Sequence, residues 1–259
     1  MAFTKLIDTF ILPEVQAELD QIKPQLNGRH QYETDIKTWL KPLIDLKDFY
    51  VYPMNGITEC INWWQQHETR NVRKAKGDYE WVDYNKVMTL GNTVAYVSCP
   101  SSIDGNYTEI PDEVPVVLDI AYAGCVPVKP IKLLDNVEKV FYSLSKPFGI
   151  GNIRTGWYFT RRPDAKLHLL SIEAAYYNHC ASQYAEHVIN TYSIDYIYKE
   201  LKDIQHSVCA EHNLTPSDCV WLATSTDEQY KDFRRHDQTD VARICITDLI
   251  KEQHGNQSK

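Results

Sequence analysis

Residues 141–157 read Phe-Tyr-Ser-Leu-Ser-Lys-Pro-Phe-Gly-Ile-Gly-Asn-Ile-Arg-Thr-Gly-Trp, an apolar strand leading into two serines, a lysine, a glycine-bearing loop and an arginine. A lysine amine can form an imine with an aldehyde and then serve as a general base. Ser143, Ser145 and Arg154 are the residue types that hold a near-dianionic phosphate, through charge-assisted hydrogen bonds worth ~1.5–3 kcal/mol each. An isolated Ser-x-Ser-Lys is usually no more than a surface lysine in a polar turn, so the weight rests on what accompanies it. Upstream, Val116-Val-Leu-Asp119-Ile-Ala-Tyr122 puts a carboxylate at the end of a buried strand. That position is costly unless the carboxylate meets a cation, although an Asp there can also simply cap a helix. Asn55-Gly56-Ile57-Thr58-Glu59 opens a helix with a glycine and a hydroxyl, a plain capping turn or an anion site. Arg243, in Val-Ala-Arg-Ile-Cys-Ile, offers the fork that grips a carboxylate on two prongs, unless it is a solvated charge on an edge strand.

Taken together, these segments closely resemble the class I/II aminotransferases, enzymes of fold type I that use pyridoxal 5′-phosphate. The resemblance implies that Lys146 forms the Schiff base with the cofactor and that Ser143, Ser145 and Arg154 hold its phosphate. Asp119 would keep the pyridine nitrogen protonated, and Tyr122 would bond the ring's phenolic oxygen. Gly56, Ile57 and Thr58 fall at the turn beneath the phosphate, and Trp81, in Glu-Trp-Val-Asp-Tyr84, at the aromatic that stacks on the ring. Ser102, in Cys-Pro-Ser-Ser-Ile-Asp-Gly105, stands where the family carries an asparagine that contacts the phenolic oxygen, a departure from the pattern. Arg243 is similar to the arginine that forks the substrate α-carboxylate, and Tyr32 to the tyrosine that reaches the phosphate of a partner subunit. Amino acids and 2-oxo acids are the implied substrates and a homodimer the implied assembly. The chain is short for the family, compressed between Gly56 and Asp119 and between Trp81 and Ser102.

The elements that must position these residues follow from the pattern. Strands are expected at Phe49–Tyr52, Val87–Leu90, Val94–Ser98, Val114–Ile120, Val137–Ser143 and Gly156–Thr160, several as continuous apolar runs that suit a sheet covered on both faces. A helix is expected from Thr58 to about Arg70. Interleaved helices and strands give an α/β fold with a predominantly parallel sheet. Residues 1–47 read as an arm and short helix, 48–165 as the cofactor-binding domain, and 166–259 as a long connecting helix with a small α+β unit. That unit would carry strands at Val220–Thr224 and Val241–Ile246.

Composition excludes other classes. The chain has 259 residues, with 27 Lys+Arg against 35 Asp+Glu and a net charge of −8, which argues against a nucleic-acid coat or a polybasic membrane binder. Its seven cysteines never form a CxxC pair, which fits a reducing cytoplasm better than a disulfide framework. The amino terminus mixes charges too early for a signal peptide, and the longest apolar run, Val114 to Val128, is broken by Asp119 and two prolines. There is no HExxH, P-loop, strand-linked GxGxxG or GxSxG, and Cys209, His212 and Cys219 lack the second close pair a zinc site needs. The activity that the resemblance implies is that of an aminotransferase, expected to be cytoplasmic and without metal. A lyase or decarboxylase on the same scaffold, or a cofactor-binding protein without turnover, is the alternative.

Overall fold

The computed structural model describes residues 3–5, 7–24, 32–82, 92–237 and 239–257. Helices α1 (Pro13–Leu19) and α2 (Tyr32–Leu40) precede β1 (Tyr50–Met54), α3 (Ile57–His67), β2 (Asn71–Lys74) and β3 (Thr93–Ser98). Next come β4 (Val116–Asp119), β5 (Val137–Tyr142), β6 (Gly156–Thr160) and α4 (Ala165–Leu167), which runs into a π-helical turn over His168–Glu173. The chain continues through α5 (His179–Thr191), α6 (Tyr196–His212), β7 (Thr215–Pro216), β8 (Leu222–Ser225), β9 (Ala242–Cys245) and α7 (Thr247–Gln257).

Strands β1 to β6 form one sheet in the order β1-β6-β5-β4-β3-β2. The pairs β2–β3, β3–β4 and β4–β5 are parallel, whereas β6 runs antiparallel between β5 and β1. Every residue of β4 and β6 is buried, as a sheet covered on both faces requires. One face carries Val116, Leu118 and Val140 into a core shared with Leu40, Val188 and Leu201 of α2, α5 and α6. The other carries Val117 and Phe141 into a smaller core with Cys60, Ile61 and Trp64 of α3. Trp64 lies 6.1 Å from the rings of both Tyr96 and Phe141. Burying aromatic and branched side chains of this size stabilises by roughly 1.5–3 kcal/mol each, which fixes α3 against the sheet.

The expected α/β architecture is present, with a small antiparallel sheet β7-β8-β9 towards the carboxyl end. Two details differ from the pattern-based reading. Strand β2 was not anticipated, because Asn-Val-Arg-Lys buries only Val72 at a sheet edge. The long connecting helix expected from residue 166 onwards is broken twice. Asn178 caps α5 by accepting from the Ala181 amide, and the turn at Ser193–Asp195 separates α5 from α6. The strand expected at 87–90 lies outside the described residues.

Candidate active site

In a parallel sheet the carboxyl ends of the strands form one edge, and ligands of open α/β folds bind outside it. Strands β1, β3, β4 and β5 all end at this edge, so they deliver Gly56, Ser102, Asp119 and Ser143 to the same side. Because β6 runs the other way, with Gly156 opposite Met54, it begins where its neighbours end. The β5–β6 connection therefore stays at the edge throughout, and it carries Ser145, Lys146 and Arg154. A cavity of about 320 Å³ opens there. Of the residues expected at the site, Ile57, Thr58, Ser102, Asp119, Tyr122, Ser143, Ser145, Lys146 and Arg154 line it.

Asp119 ends β4 only 3% exposed. The Tyr96 hydroxyl of β3 donates to its Oδ2, and the Ala121 amide donates to its Oδ1 at 2.8 Å. Burial pushes its carboxyl up to about 7 despite those two donors, with the charge of Asp78 adding to the rise. Burial likewise raises the Tyr122 phenol above its ordinary range, so it stays a donor at neutral pH. Lys146 is half-buried, and burial holds its amine below the usual lysine range, reinforced by the nearby Arg243 guanidinium. Its Nζ donates to the Ile7 carbonyl at 2.7 Å, and its own carbonyl accepts from the Trp221 indole at 3.0 Å.

The opposite end of the cavity is built for an anion. The amides of Ile57 and Thr58 precede the first hydrogen bonds of α3, in which Glu59 and Cys60 donate to the Gly56 carbonyl. Gly56 has φ +94°, and a Cβ there would lie 2.9 Å from Arg154 Nη2. A Cβ on Gly156 would lie 2.6 Å from Gly56 Cα, so the two glycines let β1 and β6 bring the helix start and the arginine together. Arg154 itself sits at φ 63°, a conformation that costs a non-glycine residue on the order of 1 kcal/mol. Its guanidinium has no hydrogen bond or ion pair among the described residues. The Ser145 hydroxyl is buried without a partner, and Ser143 Oγ accepts only a 3.4 Å contact from the Ser145 amide. Unspent donors around a helix start fit a phosphate group.

Trp81 and Arg243 do not line this cavity. Trp81 is 56% exposed and its indole donates to Asn62 Oδ1 at 2.9 Å, while Tyr79, two residues earlier, lines the cavity. No signal in the polar run after β2 distinguishes Tyr79 from Trp81. Arg243 of β9 is buried, with Nη1 donating to the Ser102 carbonyl at 2.7 Å and Nη2 to the Lys5 carbonyl at 2.6 Å. Its Nε is buried without a partner. Ser102 reaches the cavity, but its hydroxyl donates to Asp78. Tyr32 opens α2, and its side chain lies outside the described residues.

An amino-terminal strap, also unforeseen, crosses the cavity. Ile7, Asp8 and Thr9 line it, the Thr9 hydroxyl donates to the Ser145 carbonyl at 3.3 Å, and the Cys245 amide donates to the Thr4 carbonyl at 3.1 Å. Among the described residues no cluster of potential metal ligands occurs, and no helix is long and apolar enough to cross a membrane.

No family model and no curated protein matches the sequence. Solved structures do match. An aminotransferase from Staphylococcus aureus superposes with a TM-score of 0.63 at 12% identity, covering 96% of this chain and 90% of that one. A C-S lyase from Staphylococcus hominis, solved with pyridoxal phosphate bound, gives 0.66 at 11% identity over 96% and 88%. Histidinol-phosphate aminotransferase from Sinorhizobium meliloti, in complex with pyridoxal 5′-phosphate, gives 0.63 at 13% over 94% and 88%. At such identities the common property is architecture, and this chain has the fold shared by pyridoxal-phosphate-dependent aminotransferases and C-S lyases.

Proposed function

We propose that the chain binds pyridoxal 5′-phosphate in the cavity at the sheet edge and transfers an amino group between an amino acid and a 2-oxo acid. The observation that carries this reading is the convergence, on one cavity, of a lysine amine, a strand-end carboxylate and an anion cradle of unspent donors. When bound, the cofactor supplies an aldehyde that takes up the amino group and a ring that withdraws electrons from the substrate Cα. Ser143, Ser145, Arg154 and the start of α3 would hold its phosphate, and Tyr79 is placed to pack on the ring in the role expected of Trp81. Asp119 would hold the proton-bearing ring nitrogen, a cation that restores the ionised carboxylate burial disfavours. Tyr122 donates to the ring oxygen.

Lys146 acts first as nucleophile and then as the base that moves a proton from the substrate Cα. Its depressed amine suits both roles, because more of it is neutral at physiological pH. Both need its bond to the Ile7 carbonyl to break. Arg243 is the carboxylate fork of this proposal, and a substrate carboxylate would take the place of the Lys5 carbonyl on Nη2. A homodimer and a cytoplasmic location belong to the same proposal, carried over from the family resemblance.

Borohydride reduction after incubation with pyridoxal 5′-phosphate, followed by peptide mapping, tests the site. The pyridoxyl group should map to Lys146, and a label elsewhere or no label overturns the assignment. Single amino acids added to the loaded protein then separate the chemistries. Transamination releases a 2-oxo acid and leaves pyridoxamine phosphate, whereas a lyase releases a thiol from an S-substituted cysteine and leaves the aldehyde form.

A further inference from the structure

One buried carboxylate beside the cavity has no part in the reading above. Asp78 lies in the loop after β2, 5% exposed. Its Oδ1 accepts from the Tyr79 amide at 2.7 Å, from Ser98 Oγ at 2.5 Å and from the Ser102 hydroxyl. Ser98 Oγ in turn accepts from the Ser102 amide at 2.9 Å, so its single proton belongs to Asp78. A carboxylate only accepts, so the Ser102 proton is committed to Asp78 as well. Ser102 therefore presents lone pairs alone to the cavity, with a negative charge one hydrogen bond behind. An asparagine at that position could present an N–H instead. Among the described residues no ion pair neutralises Asp78.

Resting on the cofactor reading, we propose that Asp78 is a positioning residue that holds Ser102 as a hydrogen-bond acceptor, so that the bound cofactor's ring hydroxyl keeps its proton at Ser102. The other charged and titratable groups around the cavity are Asp8, Tyr79, Asp119, Tyr122, Lys146 and Arg154. Behind it stand Arg243, bonded to the Ser102 carbonyl, and Arg235, whose Nε donates to the Gly77 carbonyl at 3.1 Å and whose Nη2 lies 3.7 Å from Glu80. All of these persist when Asp78 is replaced, and the push that the Asp78 charge gives Asp119 is separated from the effect on Ser102 by repeating the comparison without the Ser102 hydroxyl.

The test is a spectroscopic titration of the protein loaded with pyridoxal 5′-phosphate, reading the pH midpoint of the bound cofactor's absorption change. Asp78→Asn keeps the shape and removes the charge, and should lower the midpoint by about one pH unit. Against a Ser102→Ala background the same substitution should change it by less than half as much. A full shift there would mean that the charge acts without Ser102 and would overturn the positioning role. Should Asp78→Asn not fold, Ser102→Ala alone decides, with a lower midpoint expected and an unchanged one overturning the proposal. Wild type that forms no adduct on Lys146 overturns the cofactor reading and this inference with it. An adduct on Lys146 whose midpoint ignores Asp78 overturns this inference only.

Discussion

Asp119 shows what a single buried carboxylate costs and what restores it. Its folded pKa of about 7 lies above the ordinary carboxylate value, so the native state binds the proton more tightly than the unfolded chain does. The sign follows. Stability from this group is intact below about pH 4, falls as pH rises towards 7, and stays reduced above. In protein free of pyridoxal phosphate, Asp119→Asn should be the more stable form at pH 8, by on the order of 3 kcal/mol, with the difference gone at pH 4. Urea melts at the two pH values measure this. With cofactor and amino acid present the ranking by activity should reverse, because an amide no longer favours a protonated ring nitrogen, and Cα proton exchange reads that loss. Asp119 could be placed in the sequence because a buried apolar run ends on it, and Tyr122 through the resemblance that sets a tyrosine three positions later; both line the cavity. Tyr96 and Asp78 could not be placed, since a partner on a neighbouring strand or a distant polar loop leaves no periodic trace.

The connection between β5 and β6 explains why one short motif could be read so far. It leaves one strand and enters its antiparallel neighbour at the same edge, so Ser143 to Gly156 share a site without any distant segment being folded in. The helix start meets it at the close approach of Gly56 and Gly156, two residues a hundred positions apart. Gly156→Ala should therefore push β1 from β6 and displace Gly56, weakening cofactor affinity tenfold or more while borohydride still finds Lys146 at saturating cofactor. Fluorescence titration against pyridoxal 5′-phosphate checks the affinity, and peptide mapping after borohydride reduction checks the label. Illegible elements failed for local reasons. Strand β2 buries one residue in four, and the breaks on either side of α5 are made by Asn178 and Ser193–Asp195, polar residues that also occur on solvated helix faces.

Across the whole molecule, the small sheet and the large one meet at Lys146. Trp221, just before β8, donates to the Lys146 carbonyl, while the Val220 amide donates to the Cys125 carbonyl and the Cys219 amide to the Gly105 carbonyl. Gln205 of α6 binds that turn from behind, its amide within 2.8–3.0 Å of the carbonyls of Ser217, Cys219 and Leu222. Trp221→Phe preserves most of the buried ring and deletes one donor. Thermal melts should show a loss of about 1–2 kcal/mol, the scale for one unsatisfied buried acceptor. The rate of Lys146 modification by pyridoxal phosphate should change alongside, because the lysine backbone loses its tether. The sequence showed the carboxy-terminal strands but not this coupling, which runs through main-chain carbonyls.

The strap over the cavity has the same character, and that has a consequence for how its role would be uncovered. Lys146 and Arg243 are held by the carbonyls of Ile7 and Lys5, groups that every residue type supplies equally. Replacing Lys5 or Ile7 by alanine leaves both acceptors where they were, so a side-chain scan of this segment would return silence. Its information is metrical: two acceptors two residues apart, matched to two cations fixed on separate sheets. Deleting or inserting one residue between positions 5 and 7 would break that match while changing no side chain that touches either cation. Drift in side-chain identity along the strap is therefore compatible with an unchanged contact, and a change in its length is not.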